Sequence, residues 1–393
     1  MRSVRLMGDM AIARVRVYEA ALPLSVPFII SGGSLSVRRS LIVELETAEG
    51  LRGYGESAPF DQPFYSAETV SSVEACLREI LVPRVLGRTI DRPEEMLELL
   101  ADGVRGNRMA RAGVETAWWD LVARARGVAL SVLVSERLAE LHVAGVGATC
   151  AREVECGVAI GVPAGGDLGV LEAEVRAAVR RGYRRLKLKV RPGWDHEPIR
   201  AAQRVLRSER STMPVSVDAN GAYDRRRDQA DLDALDDLGL LFVEQPFPEE
   251  AIWDAVVRNR EARTPVCLDE SLTSDAVARQ VIEMDGPMVW NLKVQRVGGL
   301  EEACRIYARG LEAGAKLWVG TMPETGVGAQ AALALAGHRG CVYPTDLEPS
   351  DRWYAPGADL IELTMSETGT MAVPPGPSAV PDQTKLSLLF EMG

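Results

Sequence analysis

Short apolar runs that close on a charged residue recur through the middle of this chain. RLKLKV (185–190) carries Lys187 and Lys189, VSVDAN (215–220) reaches Asp218, FVEQP (242–246) reaches Glu244, VCLDES (266–271) reaches Asp269, and VWNLKV (289–294) reaches Lys293. Subtracting the residue numbers of Lys189, Asp218, Glu244, Asp269 and Lys293 in turn gives intervals of 29, 26, 25 and 24. The gaps carry helical patterns, as in 231–238 and 275–283. Parallel strands need crossovers of a dozen or more residues, usually helical, so this period predicts repeated strand–helix units. Such even repetition suggests a barrel, whose functional groups stand where the strands end. The first strand is expected near 154–161, a seventh at 316–319 and an eighth at about 341–346.

The flanks read differently. Residues 11–60 alternate in a β manner (AIARVRVYEAAL, then SLIVELETAEGLRGYGES) and predict an antiparallel meander. From Ser66 the pattern turns helical, opening on a capping-box-like Ser66-x-x-Thr69, with further helices over 93–100 and 109–126. Two loops interrupt this region, Pro27–Ser34 and Pro59–Tyr65. Residues 1–9 read as an extension, and 134–152 as a long junction whose His142 has no metal-ligand spacing. The tail VPPGPSAVPD predicts an extended wrap before a short final segment.

A length of 393 residues with 47% hydrophobic content allows two domains and a sizeable core. The net charge of -11 and scattered basic residues argue against a nucleic-acid partner. No stretch of about eighteen apolar residues suggests a membrane span, and no signal peptide is evident, so a cytoplasmic, soluble protein is expected. Six cysteines without C-x-x-C spacing read as reduced thiols.

The strand-end charges narrow the chemistry. Three carboxylates, Asp218, Glu244 and Asp269, make an all-oxygen set suited to magnesium or manganese rather than zinc. An ammonium beside a metal and a second ammonium is driven toward its neutral form, and a neutral lysine is a general base. Lys187 and Lys189 lie two apart on one strand and so share a face, with Lys187 the expected electrostatic partner and Lys189 the expected base. Taken singly, each acid is more often a cap of the following helix and each lysine a solvated charge. The ordered set of five is neither.

Lys187-Leu188-Lys189, Asp218-Ala219-Asn220, Glu244-Gln245-Pro246, Asp269-Glu270-Ser271 and Lys293 resemble the enolase superfamily, in its muconate-lactonizing-enzyme subgroup. The stretches NRMARAGVE (107–115), KLKVRPGWD (187–195), LKVQRVGGL (292–300) and MPETGVG (322–328) are most similar to o-succinylbenzoate synthases and N-acylamino acid racemases. The resemblance implies an α/β fold: a modified (β/α)7β TIM-like barrel over 136–355 and an α+β capping domain over 1–135, completed by about 356–393. It also implies that Lys189 and Lys293 act as catalytic residues with Lys187. Asp218, Glu244 and Asp269 would hold Mg2+ or Mn2+, and Asn220, Thr321, Met322 and Glu324 would contact a small carboxylate substrate. Loops such as Pro27–Ser34 and Pro59–Tyr65 close the barrel mouth in that family, whose members are commonly homo-oligomers. The implied reaction begins with removal of the proton α to a carboxylate and ends in racemisation or dehydration, with muconate-type cycloisomerisation or dipeptide epimerisation as alternatives.

The chain departs from the synthase and racemase pattern at two places. Gly320-Thr321-Met322-Pro323-Glu324-Thr325-Gly326-Val327-Gly328-Ala329 stands for Gly-Gly-Met-x-Glu-Ser/Thr-Gly-x-Gly-Arg, and Pro344-Thr345-Asp346 for Pro-Gly-Asp. Thr321 is similar to muconate cycloisomerases. These changes bear on the distal substrate region and leave metal and bases untouched. Two other classes are weighed against this reading. A Schiff-base barrel has no need of three consecutive strand-end carboxylates, and a catalytically dead barrel usually lacks a base or a ligand.

Overall fold

The computed structural model describes residues 11–30, 33–142 and 150–393, with the side chains of 26–34 outside that description. The 1–9 extension and residues 143–149 of the junction lie outside the described residues; His142 is exposed. In chain order the strands are β1 (Ile12–Ile30), β2 (Gly33–Thr47), β3 (Arg52–Ser57), β4 (Glu153–Glu155), β5 (Gly157–Ile160), β6 (Arg185–Lys189), β7 (Val215–Asp218), β8 (Val243–Glu244), β9 (Val266–Leu268), β10 (Val289–Leu292), β11 (Lys316–Val319), β12 (Thr370–Ala372) and β13 (Leu386–Met392).

Strands β1, β2 and β3 form the expected antiparallel meander, and β13 adds to the free edge of β1, giving the order β13-β1-β2-β3. The β1–β2 ladder runs on through Phe28↔Leu35 to Ile30↔Gly33. Pro27–Ser34 is therefore largely a hairpin arm, and its lid role lies outside the described residues. The helix Arg108–Arg126 packs on this sheet with Trp118 and Trp119 fully buried. The approach is close because β3 carries glycine on the facing side: a Cβ on Gly55 would stand 2.2 Å from Gly113 O and 2.4 Å from Ala117 N.

Strands β5 to β11 form one curled sheet, all parallel and in chain order. Both faces are covered, so the strands read as nearly continuous apolar runs, and all four residues of β7 and of β10 are buried. The outer helices are amphipathic. The helix His196–Ser208 buries Ile199, Ala202, Val205 and Leu206, and the helix Leu168–Arg181 starts on Asp167, whose side chain accepts from Gly169 N and Val170 N. The expected eighth strand is not a strand. Segment 341–346 makes only single bridges, Leu317↔Cys341 on one side and Cys156↔Thr345 on the other. Pro344 has no N–H to give a ladder. The segment nevertheless closes the ring between β11 and β5, through Val342 N to Leu317 O at 2.8 Å and Gly157 N to Thr345 O at 2.6 Å.

One capping expectation is corrected. The helix Val70–Cys76 is capped by Thr69, not Ser66, in a capping box with Ser72. A serine hydroxyl does there what an acidic side chain does elsewhere. Glu68 is spent on another helix, accepting from Met109 N and Ala110 N at 3.1 and 3.0 Å. The cysteines are free thiols, with Cys76, Cys156, Cys267 and Cys304 buried. Among the described residues, no helix is long and apolar enough to cross a membrane.

Candidate active site

Each parallel strand delivers its last residue to the same end of the ring. Asp218, Glu244 and Asp269 follow or close β7, β8 and β9, are almost wholly buried, and bring one carboxylate oxygen each to within 4.8 Å of one another. Lys189 closes β6 and Lys293 follows β10, so the two lysines flank the acidic trio four strands apart. In a ring of eight segments that places them on opposite walls.

Lys189 donates to Asp218 Oδ2 at 2.6 Å and to Asn220 Oδ1 at 2.7 Å. Lys293 donates to Asp269 Oδ2 at 2.7 Å and to the Tyr65 hydroxyl at 2.8 Å. The Lys189 side chain is 32% exposed, that of Lys293 only 6%. Lys187 lies deeper, against Asp346, 3.2 Å from Glu244 Oε2 and 3.5 Å from Asp218 Oδ2. Asn291 donates to the other Glu244 oxygen at 2.7 Å.

The electrostatics follow from burial set against these neighbours. Burial pushes the Glu244 carboxyl up to about 8, reinforced by Asp218 and opposed by Lys187. Burial acts the same way on Asp269 and Asp218, but their cations win: Lys293 and Arg296 hold Asp269 well below the carboxylate range, and Lys189 and Lys187 lower Asp218. Lys187 is held in its charged form. Burial would depress it, yet Asp346, Glu244 and Asp218 together keep it well above the ordinary lysine value. Asp346 is the reason, because it adds a carboxylate from segment 341–346 that balances Arg185 at 2.6 Å as well as Lys187.

Thr321, Met322 and Glu324 sit beyond β11. Glu324 folds back on its own loop, accepting from the Thr321 hydroxyl and from Met322 N. Met322 is buried, and Glu324 is largely so. Arg38, buried on β2, ties this loop to the one from the meander: it donates to Pro323 O and Pro59 O at 2.8 and 2.7 Å.

Reading the chain by strand ends left out Tyr65, Arg296, Asn291 and Glu270. Tyr65 sits on a loop with no period, and its contacts with Lys293 and Asp269 span more than 200 residues of chain. Arg296 had a local signal. It follows Lys293 by three residues in the short helix Val294–Val297, which brings it to Asp269 beside that lysine.

The trio is a good test of a divalent cation. Its donors are hard oxygens, enclosed and crowded closely enough that burial, reinforced by Asp218, drives one carboxyl toward protonation, which is what a bound cation would relieve.

Residues 12–135 match the family model for the mandelate racemase / muconate lactonizing enzyme N-terminal domain, and residues 170–377 that for the enolase C-terminal domain-like family. The chain belongs to the mandelate racemase and muconate lactonizing enzyme family of the enolase superfamily. It is an enzyme, similar to racemases and lyases. An N-succinylamino acid racemase of Thermus thermophilus is 38% identical over 93% of this chain and 92% of that one. An o-succinylbenzoate synthase of Bacillus subtilis is 34% identical over 87% and 86%. The crystal structure of an enolase-superfamily member from Listeria innocua superposes with a TM-score of 0.87 at 31% identity, covering 98% of this chain and 99% of that one.

Proposed function

We propose that the protein removes the proton α to the carboxylate of a small acid, as an N-acylamino acid racemase or o-succinylbenzoate synthase, with residues 1–135 and 356–393 capping a catalytic barrel of 136–355. The observation that carries this is the placing of Lys189 and Lys293 against opposite ends of one carboxylate trio. Mg2+, or Mn2+, held by Asp218, Glu244 and Asp269 would bind the substrate carboxylate and stabilise the charge that grows on it.

Lys189 takes the α proton from one face. Lys293, on the other wall, has two options. Delivering a proton to the opposite face gives racemisation. Staying protonated against the developing charge supports dehydration, in which a β-hydroxyl leaves as water after recovering the proton from Lys189. Lys187, kept charged by Asp346, holds the site's electrostatic balance and does not act as a base. Thr321, Met322 and Glu324 face the distal part of the substrate. The same reading places the enzyme in the cytoplasm as a homo-oligomer.

The test is a screen in magnesium-containing deuterated buffer with both enantiomers of N-succinylamino acids, the o-succinylbenzoate precursor, dipeptides and muconolactone. Deuterium at the α position of both N-succinyl enantiomers is the expected result. Turnover of the precursor alone would identify a synthase; turnover of dipeptides or muconolactone alone would move the assignment to an epimerase or cycloisomerase. No α exchange in any of them, with metal bound, would end the proposal.

A further inference from the structure

Each wall lysine has two partners of different kinds. One is a carboxylate of the trio, and the other is a neutral group outside it. For Lys189 the neutral group is the Asn220 amide oxygen at 2.7 Å; for Lys293 it is the Tyr65 hydroxyl at 2.8 Å. A cation held by Asp218 and Asp269 would draw on the carboxylates, and the amide and the phenol lie outside that trio.

Both neutral groups are themselves fixed. Asn220 sits in the left-handed region at φ 42°, a conformation asparagine tolerates, with its N–H on Asp218 Oδ1 at 3.0 Å and its side-chain NH2 on Glu270 Oε1 at 2.8 Å. Its amide is thereby oriented with the oxygen toward Lys189. Tyr65 comes from outside the barrel, on loop 59–65, with its hydroxyl 3.3 Å from Asp269 Oδ2 and its ring edge against Phe60. The root of that loop is anchored through Arg38, which binds Ala58 O and Pro59 O.

We infer that Asn220 and Tyr65 are positioning residues, each aiming one base at the substrate, so that the two faces of the site are supported by independent devices: Lys189 by the barrel itself, Lys293 by the loop over its mouth. This rests on the two-base reading above and assigns Asn220 to the lysine rather than to the substrate. A displacement of about 1 Å at a reacting group costs on the order of 10²-fold in rate.

The experiment follows loss of label from an α-deuterated N-succinylamino acid supplied as one enantiomer or the other, in magnesium buffer. Lys189→Ala and Lys293→Ala establish which enantiomer faces which lysine. Tyr65→Phe should slow wash-out by roughly 10- to 100-fold for the Lys293-facing enantiomer and leave the other within about threefold. Asn220→Gly, which accepts the positive φ, should do the reverse. If both variants slow the same enantiomer, or each slows both equally, the inference is wrong. A second measurement needs no turnover: acetic anhydride labelling of the magnesium-loaded protein, read by peptide mass spectrometry. Lys293 should react several-fold faster in Tyr65→Phe with Lys189 unchanged, and the converse in Asn220→Gly. Unaltered labelling in both overturns the inference, whereas a wild type that washes out neither enantiomer removes the functional reading and leaves labelling to decide this one.

Discussion

Buried carboxylates occur in two regions of this molecule, and they are satisfied in opposite ways. Where the meander and its helices meet the barrel, Glu56 and Glu115 are met by backbone. Glu56 accepts from Thr325 N and Gly328 N at the start of the helix Gly326–Ala336. Glu115 accepts from Leu300 N and Glu301 N, each at 2.8 Å, at the start of the helix Leu300–Glu312, and from Trp119 Nε1 at 2.6 Å. A Cβ on Gly299 would lie 2.4 Å from a Glu115 oxygen, so the glycine pair of VGGL makes room for an acid 184 positions earlier in the chain, 299 less 115. At the barrel mouth the acids have few backbone donors and face one another, balanced only by long basic side chains. An acid held by a helix N-terminus has its partners built in. A cluster of acids that crowds its own members leaves a role open for a cation. Burial alone does not distinguish structure from function here; the crowding of acids on one another does.

Four substitutions press on that contrast. Lys189→Ala should have the largest effect, a loss of α-proton exchange from one enantiomer of about 10³- to 10⁴-fold, roughly 4 to 5.5 kcal/mol, with magnesium affinity by calorimetry nearly unchanged. Comparable exchange of both enantiomers in the variant would remove Lys189 as base. Glu115→Ala strands three donors and should cost about 3 kcal/mol in denaturant unfolding without changing magnesium affinity. Unaltered stability would mean that backbone-met acids do not hold the two parts together.

Glu244→Gln should behave in the opposite sense. Because burial and Asp218 already disfavour its charge, the metal-free variant should melt at or above the wild type. The magnesium-induced stabilisation, about 2.7 kcal/mol at a hundredfold excess over Kd, should vanish. A retained metal shift would exclude Glu244 as a ligand.

The smallest effect is expected at the interface again. His338, buried 2.8 Å from Ser135 Oγ, has its pKa lowered from 6.5 chiefly by burial. The unfolded chain therefore takes up the proton first as pH falls. The stability contributed by neutral His338 is complete above pH 6.5 and lost below it, toward the folded value. His338→Gln should flatten the fall in melting temperature between about pH 7 and 5, and an unchanged slope would place the titrating group elsewhere.

The alternation of apolar strand and amphipathic helix was legible because both periods are local, and so the strand-end charges could be placed in one ring before any tertiary contact was known. What could not be read depended on distant chain. Asp346 helps to keep Lys187 charged, yet it lies on a segment whose proline breaks the strand pattern. Tyr65 meets Lys293 only because Arg38 and the meander hold its loop there. The cap at Thr69 was missed because Ser66 offered an equally plausible hydroxyl, and the choice between them is made by Glu68 reaching the helix Arg108–Arg126. The Pro27–Ser34 lid expectation lies outside the described residues.

The irregular closing segment 341–346 has one further consequence. A complete ladder spreads the work of parting two strands over many amides, whereas this joint is fastened at a few points, so the ring's first breach under heat or chaotrope belongs there. Asp346 is riveted to that joint and grips Lys187. Any breathing of the seam is therefore transmitted to the charge balance at the catalytic floor before the remaining staves of the barrel have stirred.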